Sequence, residues 1–111
     1  MNILEKLKSQ RLYFDGGYGT NLQKAGLLPG KLPELWNIEK PEIIKGLHKD
    51  YLDAGADILK TNTFGANVLK FEEPELEKII FSAVKNAKDA ISEIGLPDKY
   101  VALDIGQQVN F

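Results

Sequence analysis

Two short polar stretches, an aspartate and a lone histidine carry the side chains able to do chemistry in this chain, and none of them offers a thiol. Asp15-Gly16-Gly17-Tyr18-Gly19-Thr20 sets a carboxylate beside three glycines. Lacking a Cβ, glycine lets backbone N–H groups come close to an anion, while the carboxylate could hold an ammonium. Those two capacities together describe a receptor for the head of an amino acid. The same residues would also make a tight turn with no ligand at all. Thr61-Asn62-Thr63 places three hydrogen-bonding side chains in succession. In an extended chain Thr61 and Thr63 point to one side and Asn62 to the other, so one of the two sides can face a ligand. A polar strand terminus that caps a short helix near residues 66–70 would look the same. Asp104 is either a site residue or a strand-terminal polar group.

His48, the single histidine, lies between Leu47 and Lys49 in a helical pattern. It is read as structural or exposed rather than catalytic. Trp36 reads as an apolar anchor for a proline-rich loop. A dinucleotide site fails on spacing, because Gly17-Tyr18-Gly19 is followed by Thr20-Asn21-Leu22 and the third glycine of G-x-G-x-x-G is missing. With no cysteine in the chain, disulfides, thiolate nucleophiles and thiolate-bound zinc are excluded from these residues. No cluster with metal-ligand spacing is visible.

The elements that must position these residues alternate between strand and helix. Residues 2–9 carry Ile3, Leu4 and Leu7 at helical spacing and predict a short amphipathic helix packed as a lid or plug. Residues 11–15 are β-prone and end in the glycine turn. A helical turn is expected over 20–25, capped by Thr20 or Asn21, and then a loop over 26–41 anchored by Leu35 and Trp36. From Pro41 the spacing of Ile43, Ile44, Leu47, Tyr51 and Leu52 predicts a helix that stops before Gly55. Residues 56–64 read as a second strand. Leu76, Ile79, Ile80, Ala83, Val84, Ala87, Ala90, Ile91 and Ile94 share one face of a long helix that Gly95 and Pro97 end. Residues 100–106 read as a third strand.

Such alternation implies right-handed crossovers and a parallel α/β sheet, either open and doubly wound or part of a (β/α)8 barrel. A whole barrel normally takes about 250 residues, and this chain has 111. In both architectures ligands gather at the carboxyl ends of the strands, where the Asp15, Thr61 and Asp104 stretches fall. A formal charge of -2 and scattered Lys and Arg give no field for nucleic acid or anionic lipid. No apolar run approaches the ~20 residues of a membrane span, so a cytoplasmic location is the expectation.

Five segments in order, Phe14-Asp15-Gly16-Gly17-Tyr18-Gly19-Thr20, Pro33-Glu34-Leu35-Trp36-Asn37, Lys40-Pro41-Glu42-Ile43-Ile44, Ala54-Gly55-Ala56-Asp57 and Thr61-Asn62-Thr63-Phe64-Gly65, resemble the homocysteine S-methyltransferase family. The resemblance is nearest to the homocysteine-binding module of cobalamin-dependent methionine synthases, and it covers residues from about 10 to 106. It implies a TIM-type (β/α)8 barrel, of which this chain would supply the first three β/α units as an incomplete parallel sheet. It also implies transfer of a methyl group to homocysteine to form methionine. By that analogy Asp15 binds the substrate ammonium, amides around Gly16 and Gly17 its carboxylate, and Thr61, Asn62 and Thr63 line the pocket. Three cysteines of later strands would hold the zinc that ionises the homocysteine sulfur, and cobalamin or another donor would carry the methyl. Those cysteines are absent here, so the chain alone is expected to be inactive.

The chain closes on Gly106-Gln107-Gln108-Val109-Asn110-Phe111 where the family commonly continues with a run like GPTGKLL. Written as GGC CCA ACA GGT AAA CTT TTA A and shorn of one C, that run becomes GGC CAA CAG GTA AAC TTT TAA, which encodes G-Q-Q-V-N-F and a stop. Residues 107–111 are therefore expected to be a frameshifted tail, an expectation that the nucleotides past the stop decide. Two other readings stay open, a non-catalytic amino-acid-binding α/β module and a small open-sheet protein complete in itself. A lone incomplete sheet is expected to self-associate through its edges.

Overall fold

The computed structural model describes residues 13, 15–66 and 70–104. The helix expected over 2–9, most of the strand expected over 11–15 and the closing stretch 105–111 lie outside the described residues. Within them the order is helix α1 (Gly19–Lys24), a 3-10 turn (Pro33–Leu35), α2 (Trp36–Glu39), α3 (Pro41–Asp53), strand β1 (Ile58–Lys60), α4 (Glu73–Ile94) and strand β2 (Tyr100–Ala102). The chain is α/β, and its two strands pair in parallel with Ile58 opposite Tyr100 and Lys60 opposite Ala102.

The two long helices follow the apolar spacing closely. Pro41 opens α3, and Pro74 sits in the first turn of α4, where a missing N–H costs nothing. Gly95, at φ 75°, ends α4 in the left-handed conformation and returns its N–H to the Ile91 carbonyl at 3.0 Å. Gly55, at φ 105°, makes the turn that leads from α3 into β1. Leu52 of α3, Leu59 of β1 and Ala87 of α4 form one core cluster, with Ile91, Ile94 and Val101 packed against it. A second cluster gathers Tyr18, Leu22, Leu27, Trp36 and Ile44 beneath the glycine turn. The buried face of α4 also contains Asn86, which no apolar pattern announces.

Three expectations need correction. Neither Thr20 nor Asn21 caps α1; both lie inside it, and Tyr18 occupies the N-cap without a side-chain capping bond. The stretch read as loop from 26 to 41 holds two helical turns, because Pro33 begins a 3-10 turn and buried Trp36 anchors the next. Both strands are shorter than expected, at three residues each. Backbone pairing runs one bond past Lys60, where Thr61 N–H donates to the Ala102 carbonyl at 3.0 Å, and beyond it side-chain bonds take over. Tyr13 and Asp15 nevertheless run beside β1, since the Tyr13 carbonyl accepts from the N–H groups of Asp57 at 2.7 Å and Ile58 at 3.1 Å, and Asp15 N–H donates to the Ile58 carbonyl at 3.0 Å.

Candidate functional site

At the carboxyl ends of β1 and β2 an open cleft of about 460 Å³ is lined by Gly16, Gly17, Tyr18, Gly19, Pro33, Glu34, Lys60, Thr61, Asn62, Thr63, Phe64 and Asp104. Five of the six residues singled out from the sequence, Gly16, Gly17, Thr61, Asn62 and Thr63, therefore border one space. Asp15 does not; it lines a neighbouring hollow with Tyr13, Gly16, Tyr51 and Ala54.

The threonines spend their hydroxyls on the fold. Thr63 Oγ1 donates to the Asp104 carbonyl at 2.6 Å, and Asp104 N–H donates to Thr61 Oγ1 at 3.1 Å. The 2.6 Å contact between the two hydroxyls must then have Thr61 as its donor. This closed circuit ties the end of β1 to the segment leaving β2, and it places Asp104 at the cleft. Asn62 points the other way, as strand alternation requires, and its Nδ2 donates to the Pro33 carbonyl at 2.8 Å.

Asn37, 1% exposed, bridges the 3-10 turn and the strand end. Its Nδ2 donates to the carbonyls of Glu34 at 2.9 Å and Asn62 at 2.7 Å, while Asn86 Nδ2 of α4 donates to the Asn37 backbone carbonyl at 3.0 Å. Three buried asparagines thus fasten the 3-10 turn to the strand end and to α4. Asn37 and Asn86 carried no such signal in the sequence, because Asn62 lies 25 residues from Asn37 and Asn86 lies 49.

Under the glycine turn lies a second buried network. Both Asp15 carboxylate oxygens accept from the Lys60 N–H at 3.1 Å, and Tyr18 Oη donates to Oδ2. Having given its one proton to Asp15, the Tyr18 oxygen must accept from His48 Nδ1, 2.8 Å away. That fixes the Nδ1–H tautomer and leaves Nε2 a buried, bare acceptor without a partner. His48 is fully buried, so the structural alternative holds rather than the exposed one. Burial depresses its imidazole to about 4. Burial also pushes the Asp15 carboxyl above its usual range, against the bonds from Tyr18 and Lys60 that pull it back. The Tyr18 phenol is driven up by burial and by Asp15 beside it. Tyr51 pins the turn from above, donating to the Gly17 carbonyl at 2.5 Å, and a Cβ on Gly16 would meet its hydroxyl at 2.8 Å. Here glycine is needed for close approach.

Glu34 was passed over as part of a loop. It is 3% exposed, borders the cleft, and keeps Oε1 without a hydrogen-bond partner. Burial raises its carboxyl, while the nearby Lys70 charge and the Gly65 N–H oppose that rise. Its sequence signal was Pro33 followed by an acidic residue and Leu35-Trp36, a pattern that starts a 3-10 turn with the carboxylate turned inward.

Zinc does not fit these residues. The chain has no cysteine, and among the described residues no three His, Asp or Glu side chains converge to hold a metal ion. Among them, too, no helix is long and apolar enough to cross a membrane.

Comparison with known proteins gives the family of the chain. The sequence pattern of the family described as homocysteine S-methyltransferase matches residues 12–111. Methionine synthase of Mycobacterium tuberculosis is 30% identical over 109 residues, which is 88% of this chain and 9% of that protein. Methionine synthase of Mycobacterium leprae is 38% identical over 74 residues, 60% of this chain and 6% of that protein. Among solved structures, the homocysteine methyltransferase MmuM from Escherichia coli in its metallated form superposes with a TM-score of 0.73 at 26% identity, over 92% of this chain and 40% of that one. Its apo form gives 0.67 over 87% and 37%. The chain thus spans less than half the length of each of these relatives, and with the family pattern covering all but its first eleven residues it belongs to the homocysteine S-methyltransferase family.

Proposed function

We propose that this chain forms the opening three β/α units of a (β/α)8 barrel and holds homocysteine at the carboxyl ends of its strands, within a methyltransferase that makes methionine. In that reaction the homocysteine sulfur attacks a methyl group; the S–CH3 bond forms as the donor–CH3 bond breaks, and the thiol proton leaves beforehand. The observation that carries the reading is the convergence of Gly16, Gly17, Thr61, Asn62 and Thr63 on one cleft where parallel strands end. Amides around Gly16 and Gly17 receive the amino-acid carboxylate, with Lys60 adding positive charge. An acidic side chain receives the ammonium, and family likeness assigns that part to Asp15. Thr61, Asn62 and Thr63 form the wall. Sulfur activation falls to residues outside these 111, because the side chains present do not suit zinc, and no step here runs through a metal.

Calorimetric titration of the chain with L-homocysteine or L-methionine tests the reading. Millimolar or tighter binding is expected, and Asp15→Ala should remove it by freeing the Lys60 N–H and Tyr18 that shape the turn. No heat of binding in the intact chain would refute it. A barrel opening also leaves unpaired strand edges, with Leu103, Phe64 and Tyr13 exposed beside them. Gel filtration should therefore show concentration-dependent self-association, and a strictly monomeric species across the range would speak against an open sheet.

A further inference from the structure

His48 shares the buried face of α3 with Ile44 and Leu52, one turn away on either side, yet packing alone does not call for an imidazole there. A third aliphatic side chain would fill the face, whereas His48 keeps Nε2 buried without a hydrogen-bond partner, which costs free energy. What the imidazole supplies and an aliphatic group cannot is the Nδ1–H that Tyr18 Oη accepts at 2.8 Å.

Tyr18 links that helix to the site. Its ring borders the cleft and packs edge-on against two others, with centroids 5.2 Å from His48 and 5.5 Å from Tyr51, so the position of its oxygen is fixed. The hydroxyl donates to Asp15 Oδ2, while the Lys60 N–H is shared by Oδ1 and Oδ2 at 3.1 Å each. Of the two oxygens Oδ1 thus carries the lighter load, and a carboxylate has acceptor sites enough for a further donor. Gly16, next in the chain, lines both the cleft and the hollow that Asp15 borders, so the carboxylate stands at their common wall. With His48 donating to it, the phenol oxygen sends its own proton to Asp15. Without that donor the hydroxyl is free to turn away. Among the contacts that oppose the upward push of burial on the Asp15 carboxyl, the Tyr18 bond is the largest, so loosening it favours the neutral acid and weakens any hold on a cation.

We propose that His48 is a positioning residue for the amino-acid site, acting through Tyr18: its Nδ1–H keeps the phenol proton on Asp15 Oδ2, which leaves Oδ1 ionised and available to the ligand's ammonium. This rests on the homocysteine reading above and deepens it by naming the residues that ready Asp15 for an amine. The probes are L-homocysteine and its desamino analogue 4-sulfanylbutanoate, titrated into the wild-type chain, His48→Leu and His48→Asn. His48→Leu should weaken homocysteine by about 3- to 10-fold and leave the analogue unchanged. His48→Asn, whose Nδ2 stands where the imidazole Nδ1 does, should recover most of that loss. A second measurement needs no variant, because the chain has a single histidine. Nitrogen NMR of the labelled wild type should show the proton on Nδ1, with ring signals that move on adding homocysteine and stay in place with the analogue. A proton on Nε2, ring signals that ignore homocysteine, or a His48→Leu loss equal for both compounds overturns the assignment and leaves the amino-acid site standing. If neither compound binds the wild type, the homocysteine reading fails and the assignment falls with it.

Discussion

Asn37→Ala should lower the stability of the chain by about 2–4 kcal/mol, enough to unfold a marginal α/β unit. Asn37 gives both amide protons to buried carbonyls, those of Glu34 and Asn62. Alanine leaves two desolvated acceptors unpaired, and no water-filled space replaces the lost donors in a site that is 1% exposed. The loss is local before it is global. The 3-10 turn comes free of the strand end, and with it Trp36, which lies buried beside Asn37 with Lys40 Nζ 4.8 Å from its ring centroid. Trp36 is the single tryptophan. A urea titration followed by its fluorescence should therefore show a lower midpoint and a red-shifted emission before full unfolding. An unchanged midpoint would show that the asparagine links are dispensable.

Stability should also fall by about 3 kcal/mol as pH drops from 7 to below 4, through His48 alone. Its folded-state value is about 4, below the ordinary 6.5. Above pH 6.5 both states carry neutral imidazole and the contribution is fully present. Between 6.5 and 4 the unfolded chain binds a proton that the folded chain refuses, so stability declines as pH falls, and below 4 the contribution is gone. Asp15 and Glu34 act in the opposite sense, because burial raises both. Their stabilisation is complete below the usual carboxylate range and is lost as pH climbs through their raised values. The difference between wild type and His48→Gln isolates the histidine. Denaturant midpoints at pH 7 and pH 5 should converge for the pair as pH falls, and a gap independent of pH would contradict a neutral, buried imidazole.

Much of the scaffold was legible because its determinants are local. The helices 41–53 and 73–94 announce themselves by apolar spacing, a proline in the first turn and a glycine past the end. Even the burial of His48 had a signal, since Ile44, His48 and Leu52 recur every four residues on one face. Its partner did not, for Tyr18 is 30 residues distant. The same reason hid the links from Asn37 to Asn62 and from Asn86 to Asn37. Prolines at 29, 33 and 41 suggested open loop, whereas Pro33 and Pro41 both begin helical turns. The glycine turn and the Thr-Asn-Thr strand end that residue type singled out border one cleft. What spacing could not tell is that Asp15 faces a backbone N–H and a phenol, while a glutamate from the supposed loop stands at the cleft instead.

Under the proposed function these residues grip the head of homocysteine and contribute nothing to ionising its sulfur. Parallel calorimetric titrations with L-homocysteine and L-2-aminobutyrate, which lacks the sulfur, should be run with and without zinc, recording proton release. Affinities should lie within about threefold of one another, unaltered by zinc and with no thiol proton released. Zinc-dependent tightening confined to homocysteine, with one proton released per molecule bound, would contradict it.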